Sequence, residues 1–264
     1  MVEYSYPNLF GGWREKMIRK LFVGACVLGT VAVAAVAYEA GHLAPFVKAM
    51  GSAEGLDVTY TISEVGGTQT QYRVVLAKPN LASIDTPWKT IVADGEFVTV
   101  YDKVKNTYYK KDQTAEVVNS LFEDDELMVW RTFFDPKALD KVAKTKSEGT
   151  RKRRGEVLNT VSAQIDPAGE FTVRFHLSQK DNLVRMAELI SMEGTVEKTK
   201  VLNVQSISTD KPPADTFLFE APADAKELTE ADLMADWLNN DLDTALENAA
   251  TFGKGVIIDF YADW

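Results

Sequence analysis

Between Asp57 and Phe219 the chain alternates apolar and polar residues again and again, the period-2 signature of strands that bury one face. Phe171, Val173, Phe175 and Leu177 fall on one side of such a strand, with Thr172, Arg174, His176 and Ser178 on the other. Tyr60 and Ile62, then Tyr72, Val74 and Leu76 across Gly66-Gly67, repeat the pattern and predict a hairpin, hence an antiparallel sheet. Trp88 to Ala93, Phe97 to Tyr101 and Thr107 to Tyr109 are expected to extend it, separated by turns at Asp94-Gly95 and Asp102 to Asn106. Strands resume near Gly149, pass through Val157, Val161 and Ile165 to a turn at Asp166-Pro167-Ala168-Gly169, and restart at Leu183 and Val196. Val196 to Ser208 is the last long strand, with Phe217-Leu218-Phe219 as a short closing element.

Helical spacing interrupts this pattern twice. Leu43, Phe46, Val47 and Met50 predict a short helix before the first strand. Thr114 to Lys144 carries Leu121, Phe122, Leu127, Met128, Trp130, Phe133 and Phe134, with Asp135-Pro136 reading as N-cap and first position of a last short helix. A sheet with one apolar face must be covered, so this middle segment is expected to plug it. The fold class is α+β.

Two further stretches lie outside the alternating region. Leu21 to Ala37 is an uncharged run of 17 residues behind Arg14, Lys16, Arg19 and Lys20. It predicts an export signal that is either cleaved or kept as an inner-membrane anchor, and Met17-Ile18-Arg19-Lys20 would make a compact start for it. Near the other end, Leu242, Ala245, Leu246, Ala249 and Phe252 follow helical spacing, with Asp241 before them and Gly253 after. A buried strand is expected next, from Val256 onward.

Composition narrows the chemistry. The chain has 264 residues, 45% of them hydrophobic, enough for a sizeable core. Its formal net charge of −10 argues against nucleic acid, whose phosphates draw affinity from clustered Lys and Arg. Arg151-Lys152-Arg153-Arg154 could meet an anionic headgroup, but a solvated, edge-protecting strand is the commoner meaning of such a run. Cys26, the one cysteine, lies in the N-terminal apolar run, so neither a disulfide framework nor a thiolate metal site is expected. His42 and His176 read as solvated, and no catalytic set, metal site or cofactor site stands out.

Two resemblances add to this reading. Lys78-Pro79-Asn80, then Ile91-Val92-Ala93-Asp94-Gly95-Glu96-Phe97-Val98-Thr99-Val100-Tyr101-Asp102, and finally Phe217-Leu218-Phe219-Glu220-Ala221-Pro222, resemble the LolA/LolB-like outer-membrane lipoprotein carrier family, over about residues 43–228. The resemblance implies a strongly bent antiparallel sheet, an incomplete barrel, with helices in its mouth and a cavity for acyl chains. One position departs from it: where the carriers place an arginine that ties the sheet to the helical lid, this chain has Ser83. Val256 to Trp264 resembles the first central strand of a thioredoxin domain, as far as the tryptophan before the Cys-x-x-Cys pair, with Asp259 at the buried acid and Trp264 at the active-site tryptophan.

The expected organisation is therefore a signal or anchor over 1–38, a half-barrel over 39–228 and an incomplete thioredoxin-like segment over 229–264. The function implied is an exported, periplasmic lipid- or lipoprotein-binding module with a cavity lined by Tyr60, Tyr72, Trp88, Phe97, Trp130 and Phe134. The same aromatics could instead fill a dry core. The alternative function is the front part of a thiol-disulfide oxidoreductase whose cysteines lie beyond Trp264. Acyl chains or a lipoprotein client, and the inner membrane through the apolar run, are the partners implied.

Overall fold

The computed structural model describes residues 41–64, 67–139, 144–165, 170–229, 232, 242–252 and 256. Its frame is a single open, curved antiparallel sheet with few helices. Strands β1 (Gly55–Glu64), β2 (Gln69–Ala77), β3 (Leu81–Asp85), β4 (Lys89–Ala93), β5 (Phe97–Asp102) and β6 (Thr107–Asp112) form one meander. A second meander comprises β7 (Lys144–Arg153), β8 (Glu156–Gln164), β9 (Phe171–Ser178), β10 (Val184–Glu193) and β11 (Val196–Ser208). Pairing of β1 with β11 joins them, and the two-residue β12 (Lys226–Glu227) adds in parallel beside β6. The strand order is β12-β6-β5-β4-β3-β2-β1-β11-β10-β9-β8-β7.

Register puts the apolar positions of successive strands side by side on the inner face. Val58, Val74, Ile84, Ile91, Val100 and Tyr109 form one row across the first meander. Ile62, Leu202, Ala187, Phe175 and Val161 form another from β1 into the second. Such cross-strand neighbours are the unit of sheet stabilisation.

The chain between β6 and β7 lies over that inner face. Helix α2 (Ala115–Ser120) is capped by the Thr114 hydroxyl, which accepts from Val117 N at 3.2 Å. A 3-10 helix follows over Met128–Phe133, with Val129, Trp130 and Phe133 buried. Asp135-Pro136 does not open a helix: the Asp135 carboxylate accepts from Lys137 N and the backbone makes a single turn. Helix α1 (Ala44–Ser52), with Pro45 in its first turn, spans the two halves. At its start His42 N donates to Thr145 of β7, and at its end the Lys78 ammonium donates to Gly51 O.

The outer face is treated differently in the two meanders. Past β11 the chain crosses Gly55 so closely that a Cβ there would lie 2.4 Å from Asp210 O, which only glycine permits. This crossing brings a 3-10 turn (Ala214–Phe217) over the outer face, where Phe217 is buried against Val75 and Ala77. Phe217-Leu218-Phe219 is therefore a covering segment and not a paired strand: Phe219 rests on Tyr101 and Tyr108, with ring centroids 6.0 and 5.3 Å away.

The expected export segment over 1–38 and the turns at Gly66 and 166–169 lie outside the described residues. Among the described residues no helix is long and apolar enough to cross a membrane. Helix α3 (Leu242–Phe252) forms as its spacing predicts, and Glu247 pairs with Lys89 at 2.9 Å. Asp259 and Trp264 lie outside the described residues, and no strand follows α3 among those described, so nothing there supports a thioredoxin domain.

Candidate functional site

The plug leaves open space on both of its flanks. One cleft, of about 290 Å³, lies between the plug and the β8–β9 end of the sheet, lined by Phe122, Met128, Arg131, Leu139, Ile165 and Phe171, with Glu123, Asp125 and Ala138 completing it. The other, of about 300 Å³, lies beside β1 and β2, lined by Ile62, Tyr72 and Trp88 together with Glu64, Gly67, Thr68, Thr70, Glu126 and Lys200. Both sit at the small end of the ~300–1,000 Å³ typical of ligand pockets.

Of the six residues expected to line one cavity, the structure brings three into contact at the centre. Tyr60 stacks on Tyr72 with centroids 5.3 Å apart and touches Trp130 at 5.5 Å. Tyr60 and Trp130 are fully buried, so their rings fill space. Trp88, 45% exposed, meets the edge of Tyr72 and forms the rim of the β1–β2 cleft. Phe134 packs against Phe122 and Phe133 within the plug. Phe97 falls on the outer face, because Val98 and Val100, its neighbours in the alternation, belong to the inner core.

Polar groups pin the plug at this centre. The Tyr60 hydroxyl donates to Glu126 O at 2.8 Å, and the Glu126 carboxylate pairs with Lys200 of β11 at 2.6 Å. Burial pushes the Tyr60 phenol far up and that of Tyr72 up to about 12, so both stay protonated donors. Burial, with Glu126 as a like charge, also raises the carboxyls of Asp124 and Asp125.

Two cations that periodicity does not single out matter more than Ser83. Ser83 lies in the outer-face row with Val75 and Val92, away from the plug. Lys78 instead reaches from the end of β2 to Gly51 O and lies 5.4 Å above the Phe133 ring, which joins sheet, α1 and plug at one point. Arg131 is the second. It lines the β8–β9 cleft, its Nε is buried without a hydrogen-bond partner, and its guanidinium makes no ion pair among the described residues. A signal for it is present in the chain, since Arg131 is the one basic residue between Thr114 and Pro136.

His176 corrects the expectation of a solvated imidazole. It is 1% exposed, held between Thr160 Oγ1 and Glu188 at 3.0 Å each. Burial lowers its pKa even though Glu188 opposes that shift. The basic run at Arg151 to Arg154 lies on and just after β7, the terminal strand of the described sheet, as edge protection requires. Among the described residues no group of three or more His, Cys, Asp or Glu is placed to hold a metal.

No family model matches the chain. Over 79 residues it is 38% identical to an uncharacterized protein of Methanocaldococcus jannaschii; the match takes in 30% of this chain and spans only 23% of that relative's length. Among solved structures, an uncharacterized conserved protein from Thermus thermophilus aligns with a TM-score of 0.44 and 11% identity over 67% of this chain and 91% of that one. MucB in the MucA/MucB complex of Pseudomonas aeruginosa aligns at 0.39 and 13%, over 69% and 61%. The lipoprotein LppX of Mycobacterium tuberculosis aligns at 0.40 and 14%, over 67% and 99%.

Proposed function

We propose that this chain is an extracytoplasmic binding module that takes acyl chains of a lipid or lipoprotein client at the margin of its plugged half-barrel. The observation that carries the reading is the β8–β9 cleft, with Phe122, Met128, Leu139, Ile165 and Phe171 as apolar wall and charged side chains at its rim; the β1–β2 cleft is more polar, with Ile62, Tyr72 and Trp88 as its apolar patch. Every methylene moved from water onto such walls contributes about 0.8 kcal/mol, so a chain of modest length binds without catalytic residues. The centre of the inner face is closed by Tyr60, Tyr72 and Trp130, which favours binding beside the plug over binding beneath it. The carrier-family resemblance of the sequence points the same way, and the N-terminal apolar run supplies the route out of the cytoplasm.

The test uses the full chain and N-phenylnaphthylamine, an uncharged probe that brightens in apolar surroundings. Saturable brightening, displaced by medium-chain amphiphiles and weakened by Met128→Asp at the cleft wall, is the expected result. A probe that stays dark across the whole titration would instead make these clefts ordinary surface relief and the protein a scaffold.

A further inference from the structure

Resting on that reading, we propose that the β8–β9 cleft is selective for amphiphiles with a singly charged carboxylate head, which Arg131 receives. The cleft is apolar along Phe122, Met128, Leu139, Ile165 and Phe171, and Arg131 is the single cation that lines it among the described residues. Its guanidinium forms no hydrogen bond or ion pair with the described residues, while Arg73, Arg174 and Arg185 each hold a carboxylate at 2.5–3.1 Å. Leaving a guanidinium unanswered beside an apolar wall is costly, and a planar, forked donor matches a carboxylate with two parallel bonds.

The terminal nitrogens of Arg131 are the part left open to a ligand. Nε is buried and partnerless, whereas the two terminal nitrogens are not among the buried partnerless atoms and bond to nothing among the described residues. They are the ones a head group can reach. Glu123 and Asp125 also line the cleft and are exposed at its rim. They repel a doubly charged head more strongly than a singly charged one, so beside Arg131 a carboxylate fits better than a doubly charged phosphate. The volume of about 290 Å³ accommodates about ten groups of ~30 Å³, which sets the chain length near that of decanoate.

Displacement of N-phenylnaphthylamine from the full chain at pH 8 by decanoate, decanol, decyl phosphate and acetate tests this. Decanoate should compete about tenfold better than decanol, the worth of one charge-assisted contact, with decyl phosphate weaker than decanoate and acetate inert. Arg131→Met, which keeps the packing and removes the charge, should erase the gap by weakening decanoate alone; Arg131→Lys should restore part of it. Equal competition by decanoate and decanol in the wild type, or a gap that survives Arg131→Met, overturns the head-group assignment and leaves acyl binding standing. Failure of every amphiphile to displace the probe overturns both. Strong competition by acetate would identify a small-anion site and overturn the amphiphile as its ligand.

Discussion

The two meanders start from the same alternation and solve the outer face in opposite ways. Across β2 to β5 the outer row of Val75, Ser83, Val92 and Thr99 is close to dry, and the segment that crosses Gly55 lays Phe217 over its Val75 end. Across β8 to β10 no chain covers the equivalent row among the described residues. Glu188 there sits opposite Arg174, bonded at 2.5 Å, and also receives His176 at 3.0 Å, while Arg174 reaches on to Glu148 at 2.9 Å. One half thus closes its outer face with a covering segment, and the other with a charge network centred on Glu188. Alternation marks which residues share a face; what lies on that face is decided by distant chain.

The largest effect should come from uncovering the first half. Phe217→Ala removes a ring that is 2% exposed and should cost about 3 kcal/mol in urea unfolding, the lower end for an aromatic deletion because its cluster is small. Leu218→Ala, next in sequence but 66% exposed, should change stability by less than about 0.5 kcal/mol. Equal effects at the two positions would mean that the 214–219 segment does not cover the sheet. In the second half, Glu188→Gln keeps the shape and removes the charge that Arg174 and His176 share. A loss of about 2 kcal/mol is expected, as for a charged hydrogen-bond partner, and a loss below ~0.5 would show the network to be solvated decoration.

Sequence makes the sheet and its inner rows legible, because a period of two survives any choice of neighbours. Val196 to Ser208 is marked to the residue, and the plug is located by its helical spacing. The aromatic positions are less evenly legible, for a physical reason. Phe97 has the same type and strand context as Tyr60, but which face a strand turns inward depends on its pairing register, and Phe97 lies one step out of phase with Val98 and Val100. Alternation puts His176 on the polar face, as the structure does; its burial depends on Thr160 and Glu188, on two strands that only the fold brings beside it. Lys78 and Arg131 carry no periodic signal at all, since a single cation is informative only through what it does or does not meet.

Acid should separate the second meander from the plug by sign. The His176 pKa is lowered in the folded protein, so below the unfolded value of about 6.5 the unfolded chain binds more protons. Stability is complete above that value and declines as pH falls through the folded one. Glu188, also lowered, adds a second loss as pH falls below the ordinary glutamate range. At the plug, Asp124 and Asp125 are raised, so protonating them relieves a cost and the local effect has the opposite sign. Urea midpoints should therefore drop between pH 7 and pH 5, and His176→Gln, which can still bond Thr160 and Glu188, should flatten that drop. An unchanged slope in the variant would remove His176 as its source.

The smallest effect is expected at Lys78, which ties α1 and the plug to the end of β2. Helix α1 has no basic residue in its last turn, and Lys78 supplies one from the end of β2 by donating to Gly51 O, with its ammonium 5.4 Å from the Phe133 ring. A cation at a helix C-terminus contributes about 0.3–1 kcal/mol, and one over an aromatic ring about 0.5–1 when exposed. Burial works against both, since it lowers the Lys78 pKa. These contributions nearly offset, so Lys78→Met should shift global stability by less than about 1 kcal/mol. Its effect should appear locally instead: without the tie between α1 and the plug, backbone amides over Met128–Phe133 should exchange several-fold faster while those of β1 and β2 do not change. Faster exchange throughout the sheet, or a global loss above about 2 kcal/mol, would make Lys78 a principal support of the half-barrel and not a latch between helix and plug.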